Sequence, residues 1–218
     1  MTADLIETLP LPQRLALSYA PRRNRDNVLA LLALNARLSG IVRQQGEPVI
    51  AQMKLAWWRD RFAQDTSEWP VGEPLLALLS RYEGATEMLG SLVDGWEGLL
   101  SETLGRQEIE GFAGGHADAW SGMLNFSDKC GEEEAVRRAA EQWSLADLAM
   151  NLSDERERAL TLERVRSIGQ DQGRLPRSAR SLTVLRGLAL RALERGSSDL
   201  LDGPGAMAMA LRLGVVGR

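Results

Sequence analysis

The sequence predicts an all-α protein, and three observations carry that prediction. Almost every long segment repeats its apolar residues with the 3.6-residue period of an amphipathic helix. No run of β-branched and aromatic residues alternates over more than a few positions, so no strand is expected. Proline, glycine and acidic residues stand where helices start and stop. The 218 residues hold neither a long Ser/Pro-rich linker nor a repeat of fixed period, so one helical-bundle domain spanning 1–218 is expected.

The elements follow in order. Helices are expected near 11–20, 25–44, 48–65, 74–83, 85–104, 107–126, 132–152, 155–168, 178–195 and 204–216. In the second of these, Val28, Leu31, Leu32, Asn35, Leu38, Ile41 and Val42 share one face. Gly46-Glu47-Pro48 and Gly72-Glu73-Pro74 open the next two, because proline in a first turn gives up no helical N–H bond. The fifth carries Met88, Leu89, Leu92, Val93, Trp96, Leu99 and Leu100 on one stripe. The sixth contains Gly114-Gly115-His116-Ala117-Asp118, which reads as polar and exposed, with a structural or incidental role for His116. The seventh opens on Gly131-Glu132-Glu133-Glu134, where acids favour the positive end of the helix dipole. Its stripe of Val136, Ala139, Ala140, Trp143, Ala146 and Met150 includes one acid, Asp147. Ser153-Asp154 and Ser197-Ser198-Asp199 offer caps, and Leu175-Pro176 marks a boundary. Leu182, Leu185, Leu188, Ala189 and Ala192 form a stripe on the ninth expected helix. The last segment, apolar but interrupted by Arg212, reads as a docked helix rather than an anchor.

Composition excludes several function classes. A net charge of -4 gives no general attraction to nucleic acid, so no nucleic-acid partner is expected. Only Lys54 and Lys129 are lysines among 26 basic residues, and arginine is the better fork for phosphate and carboxylate. Cys130 is the sole cysteine, which rules out an internal disulfide. A single histidine excludes histidine-cluster metal sites and argues against a His-based dyad or triad. The start Met1-Thr2-Ala3-Asp4 shows no secretory signal, and no stretch approaches the ~18 to 20 apolar residues of a spanning helix. The expected location is therefore cytoplasmic, with peripheral membrane contact left open.

The chain carries no P-loop, no nucleophile elbow and no His-Glu-x-x-His. What remains is a set of stretches: Ser18-Tyr19-Ala20 with Pro21-Arg22-Arg23, Ala33 to Arg43, Val49 to Asp60 with its Trp57-Trp58-Arg59, and Gly173-Arg174-Leu175-Pro176. Together they resemble the squalene/phytoene synthase family from about Ser18 to the C-terminal helices, and the Trp-Trp-Arg helix is the most specific part. The resemblance implies the all-α isoprenoid synthase fold and two aspartate-rich motifs on facing helices. Prenyl diphosphates ionise by losing a highly charged group, and magnesium, which takes oxygen ligands, neutralises it. Aspartates at i and i+4 share a helix face and can hold such ions.

Here the first motif falls on Ser39, Gly40 and Arg43 and supplies no carboxylate. The family arginine before it falls on Ala36, with Arg37 adjacent, and a family aspartate would stand near Leu99. The second motif falls on Leu145 to Asp154 and keeps Asp147, Asn151 and Asp154 at i, i+4 and i+7. Asp147 and Asp154 are the candidate metal ligands, and magnesium is expected only if this second face functions. Arg37, Arg43, Lys54 and Arg59 are candidate diphosphate-binding cations, with Trp57 as a pocket wall and Asn151 as a polar contact. The plain alternative has Asp154 capping a helix with Ser153 and Asp147 paired with an arginine across the bundle.

No catalytic residue is assigned. The first expectation is a degenerate family member that acts by isoprenoid binding or protein assembly. Asn35-Ala36-Arg37-Leu38 and Met53 to Trp58 are similar to the branch of phytoene-synthase-like assembly factors of respiratory complex I. The second is an active transferase that condenses two isoprenoid diphosphates head to head. The third is a helical interaction module with no isoprenoid link. An isoprenoid diphosphate or a protein is the expected partner.

Overall fold

The computed structural model describes residues 2–44, 47–81, 86–124, 130–169 and 174–217, with the backbone alone at 130 and 131. Gly46, Lys129 and Gly173 lie outside the described residues, as does the side chain of Cys130. Among the described residues there are eleven α-helices and no strand: α1 Thr2–Thr8, α2 Leu11–Ser18, α3 Arg25–Arg43, α4 Pro48–Phe62, α5 Pro74–Leu79, α6 Thr86–Gly98, α7 Arg106–Met123, α8 Cys130–Asn151, α9 Glu155–Ser167, α10 Arg180–Arg195 and α11 Pro204–Val215. Short 3₁₀ turns at Arg22–Asn24, Thr66–Glu68 and Arg177–Ala179 connect them.

The ten expected helices are present, several of them shorter than the periodicity suggests. α4 stops at Phe62 because Asp65 caps the 3₁₀ turn that follows, its side chain accepting from the Ser67 N–H. α5 covers little more than a turn after Pro74, with the Glu73 side chain accepting from the Leu75 N–H. The additional helix is α1, whose seven residues bury only Leu5 and so show no stripe to read.

α3 is the axis of the bundle. Every residue from Asn27 to Asn35 is buried, so this half of the helix is covered on all sides. It packs against α1, α2, α4, α5, α6 and α7. α7 lies between α6 and α8, and α8 packs against α7, α9 and α10. α10 carries the docked α11, which buries Ala206, Ala210 and Leu213. The C-terminus of α10 closes on Gly196 in the left-handed region (φ 65), with the Ser197 N–H reaching back to the Ala192 carbonyl.

α6 and α7 approach backbone to backbone. A Cβ at Gly115 would fall inside contact distance of the Ser91 carbonyl oxygen, and one at Gly95 would meet the Gly111 oxygen and Phe112 Cα at 3.0 Å. No rotamer change relieves a collision with backbone. Gly115→Ala is therefore expected to destabilise the protein by about 2 kcal/mol, toward the upper part of the overpacking range. Gly111→Ala, where a Cβ meets nothing within 4 Å, is the matched control in chemical denaturation.

Candidate functional site

α3 and α4 face each other across a cavity of about 810 Å³, closed at its sides by α1 and α5. α3 lines it with Ala33, Ala36, Arg37, Gly40, Ile41 and Gln44, and α4 with Ile50, Met53, Lys54, Trp57 and Trp58. Both sets have i, i+3/i+4, i+7 spacing, so each is one helix face. Leu5 and Thr8 of α1, with Glu73 and Leu75 at the start of α5, complete the wall.

The site is made possible by α4, which is apolar on two faces. Leu55, Trp58 and Phe62 turn into the core. Val49, Ile50, Met53 and Trp57 stay exposed, Met53 at 68% and Trp57 at 39%. The Trp57 and Trp58 rings meet edge to face at 5.0 Å, and the Arg61 guanidinium sits 5.5 Å from the Trp57 ring centroid. Trp58 continues into Phe62 and Trp69, which anchors α4 from behind.

Of the predicted cations, Arg37 and Lys54 reach this cavity. Arg37 Nη2 lies 3.8 Å from Glu73 Oε1. Lys54 Nζ donates to Gln44 Oε1 at 2.9 Å, an uncharged amide. Arg59 is placed elsewhere: its Nε lies 2.6 Å from Asp94 Oδ1 and its Nη2 also meets Glu97, which ties α4 to α6. A helical wheel puts Arg59 off the cavity face, while the identity of its partners requires the packing of α6.

Arg43 turns toward α8, away from the cavity. Its Nη2 lies 3.8 Å from Asp147 Oδ2. Burial pushes the Asp147 carboxyl above the usual carboxylate range, and the Arg43 charge opposes that. Thirty-five per cent of the Asp147 side chain still reaches solvent, so the pair sits in a crevice rather than a sealed core. Asn151 is exposed, and its Nδ2 donates to the Asp147 carbonyl at 2.7 Å. Asp154 is the N-cap of α9, with Oδ1 accepting from the Arg156 and Glu157 N–H groups, each at 2.9 Å.

These residues do not fit a magnesium–diphosphate centre. Ser39 and Gly40 bring no carboxylate, and Arg43 brings a fixed positive charge. The one facing carboxylate, Asp147, is taken by that charge, and a magnesium ion wants several oxygen donors in near-octahedral array. Among the described residues no group of three or more His, Cys, Asp or Glu is placed to share an ion.

His116 corrects the sequence reading. It is buried rather than exposed, at 3%. Its ring sits among Phe112 (4.4 Å between centroids), Trp143 (5.8 Å) and Trp96 (6.0 Å). Nε2 lies 2.8 Å from Asn35 Oδ1 and Nδ1 lies 2.9 Å from the Phe112 carbonyl oxygen. The flanking glycines suggested exposure; Gly115 serves instead in the close-packed seam with α6, while a Cβ on Gly114 would meet nothing within 4 Å. The remaining motif residue, Arg174, donates to the Val216 carbonyl at 3.2 Å, and Arg180 to that of Leu213 at 3.5 Å. Both answer the open carbonyls at the end of α11.

The architecture defines a class first: an all-α helical bundle consistent with the isoprenoid synthase type. The squalene/phytoene synthase family model matches residues 14–110, and that match together with the helical fold fits a member of the squalene/phytoene synthase family. The matched stretch holds α3, α4, α5 and Arg43 and ends in α7, before Asp147 and Asp154. No curated protein and no solved structure matches the chain. No described helix is long and apolar enough to cross a membrane.

Proposed function

We propose that this chain keeps the synthase architecture for isoprenoid binding or protein assembly and is not an efficient prenyl transferase. The observation that carries this reading is the Arg43–Asp147 pair at 3.8 Å. A head-to-head condensation needs magnesium ions held by facing acids to take up the leaving diphosphate. Here an arginine occupies one side, so the carboxylate opposite is answered by a guanidinium on the protein itself. Loss of one metal-binding wall removes transition-state stabilisation worth about 3 kcal/mol or more, by analogy with single electrostatic contacts in other sites. Asp154 acts as a helix cap, which further supports a structural use of the second acidic face. The whole chain is taken as one helical domain in this reading.

The test is incubation of the purified protein with farnesyl or geranylgeranyl diphosphate and magnesium, followed by analysis for C30 or C40 product. No product above the buffer control is expected. Turnover that survives purification and disappears in the Asp147→Ala, Asp154→Ala double variant would overturn the proposal in favour of an active head-to-head transferase.

A further inference from the structure

The cavity between α3 and α4 differs from the Arg43–Asp147 crevice in position and in charge. It opens on a side of α3 that carries Arg37, Gly40 and Gln44, whereas Arg43 points to α8. Its volume of about 810 Å³ lies within the range of small-molecule sites. Its wall is mainly aliphatic and aromatic, and its mouth is bordered by the exposed Ile50, Met53 and Trp57. Three charged groups line it. Arg37 and Glu73 largely cancel at 3.8 Å, while among the described residues Lys54 meets the Gln44 amide and no carboxylate within 4.0 Å. The lining therefore holds one positive charge in excess, on a point-charge ammonium with three donors, while Arg61 lies outside the lining against the Trp57 ring.

From this arrangement we propose that the cavity binds a single-chain amphiphile with a singly charged carboxylate head, its acyl or prenyl chain lying against Ile41, Met53 and Trp57 and its head on Lys54. This deepens the binding reading given above and rests on it. A diphosphate, with at least two negative charges, would leave excess charge facing Glu73 in a partly apolar cleft, which is unfavourable. A flat anionic bilayer suits the site less well, because Glu47 and Asp60 are exposed on the same helix at either end of the apolar stripe.

The experiment titrates the full chain with a brominated stearate below its micellar concentration and reads tryptophan quenching. Parallel arms use the brominated alcohol of equal length, inorganic phosphate, and farnesyl diphosphate as competitor. Saturable quenching is expected with the acid, at least tenfold tighter than with the alcohol. Phosphate should leave it unchanged, and farnesyl diphosphate should compete at least tenfold less well than unbrominated stearate. Trp57→Phe should weaken the quenching, the remainder coming from Trp58, which lines the same cavity. Lys54→Glu should abolish the preference for acid over alcohol, with thermal unfolding unchanged since Lys54 is exposed. Equal binding of acid and alcohol would overturn the proposal, as would tighter competition by the diphosphate. So would absence of saturable quenching, whether the face is then found to bind anionic phospholipid vesicles or a second copy of the chain by sedimentation, each lost in Met53→Asp. Product formation in the transferase assay would sink the non-catalytic reading and leave these binding results to stand or fall separately.

Discussion

Asn35→Ala is expected to lower stability by about 3–5 kcal/mol, the sum of two orphaned donors and a small cavity. The Asn35 Oδ1 atom receives the Trp96 Nε1–H at 2.9 Å, and His116 Nε2 lies 2.8 Å from it. An indole N–H can only meet an acceptor, so it fixes the amide oxygen inward, where it also takes the His116 Nε2–H. One atom of α3 thereby satisfies α6 and α7 together. Truncation leaves the indole N–H and one imidazole nitrogen buried with no partner, and no solvent reaches them. Asn35→Leu fills the space and should recover only the cavity part. The diagnostic is a double-mutant cycle with Trp96→Phe, which removes one orphan: the double variant should be more stable than the two single losses added together. Urea denaturation reads all four proteins. A loss below about 1 kcal/mol for Asn35→Ala would mean that the network contributes no more than an ordinary exposed hydrogen bond.

The same residues show how far sequence reasoning reached. Asn35 stands out as the polar member of the α3 stripe, and Asp147 as the one acid in the α8 stripe, because a period of 3.6 exposes any interruption. For Asp147 an arginine across the bundle was one of the two readings, without saying which arginine; what Asn35 does was not legible, because its partners lie on other helices. His116 and Trp96 reach Asn35 from α7 and α6, and Arg43 reaches Asp147 from α3. His116 was misread for a related reason. Gly114 and Gly115 signal exposure in isolation, yet a glycine that lets two helix backbones touch creates the most buried environment available. A pocket wall was read for Trp57, but the extent of the cavity was not legible, because periodicity cannot rank two apolar faces of one helix. In α4 both Leu55-Trp58-Phe62 and Ile50-Met53-Trp57 keep helical spacing, and only the position of α3 decides which is core and which is cavity wall. Trp57, Arg37 and Lys54 were nevertheless nominated together from the sequence, and they do share that wall.

Acid should destabilise the protein through His116, by about 3 kcal/mol between pH 6.5 and pH 4. Desolvation by complete burial lowers its pKa from 6.5 to about 4, opposed by the Phe112 carbonyl at Nδ1. Only the imidazolium could donate to both acceptors that flank the ring, yet among the described residues no carboxylate faces it, and burial prevails. Above pH 6.5 the ring is neutral in the folded and the unfolded chain, and stability does not depend on it. As pH falls below that value the unfolded chain takes up a proton that the folded chain refuses, so stability falls by up to about 1.4 kcal/mol per pH unit. The slope flattens once pH passes about 4 and the folded ring protonates too. Asp147 acts in the opposite sense, since its raised pKa makes the folded state the better proton acceptor on acidification. Carboxylates elsewhere also titrate near the lower end of the window, so the measurement is a difference. Chemical denaturation of the protein and of His116→Gln at pH 7, 5.5 and 4.5 should show a free-energy gap that narrows, by nearly one proton's worth of slope, as pH falls. A gap that stays constant across the three values would mean that the folded and unfolded chains take up the proton alike, with the two acceptors and three surrounding aromatic rings offsetting the cost of burial.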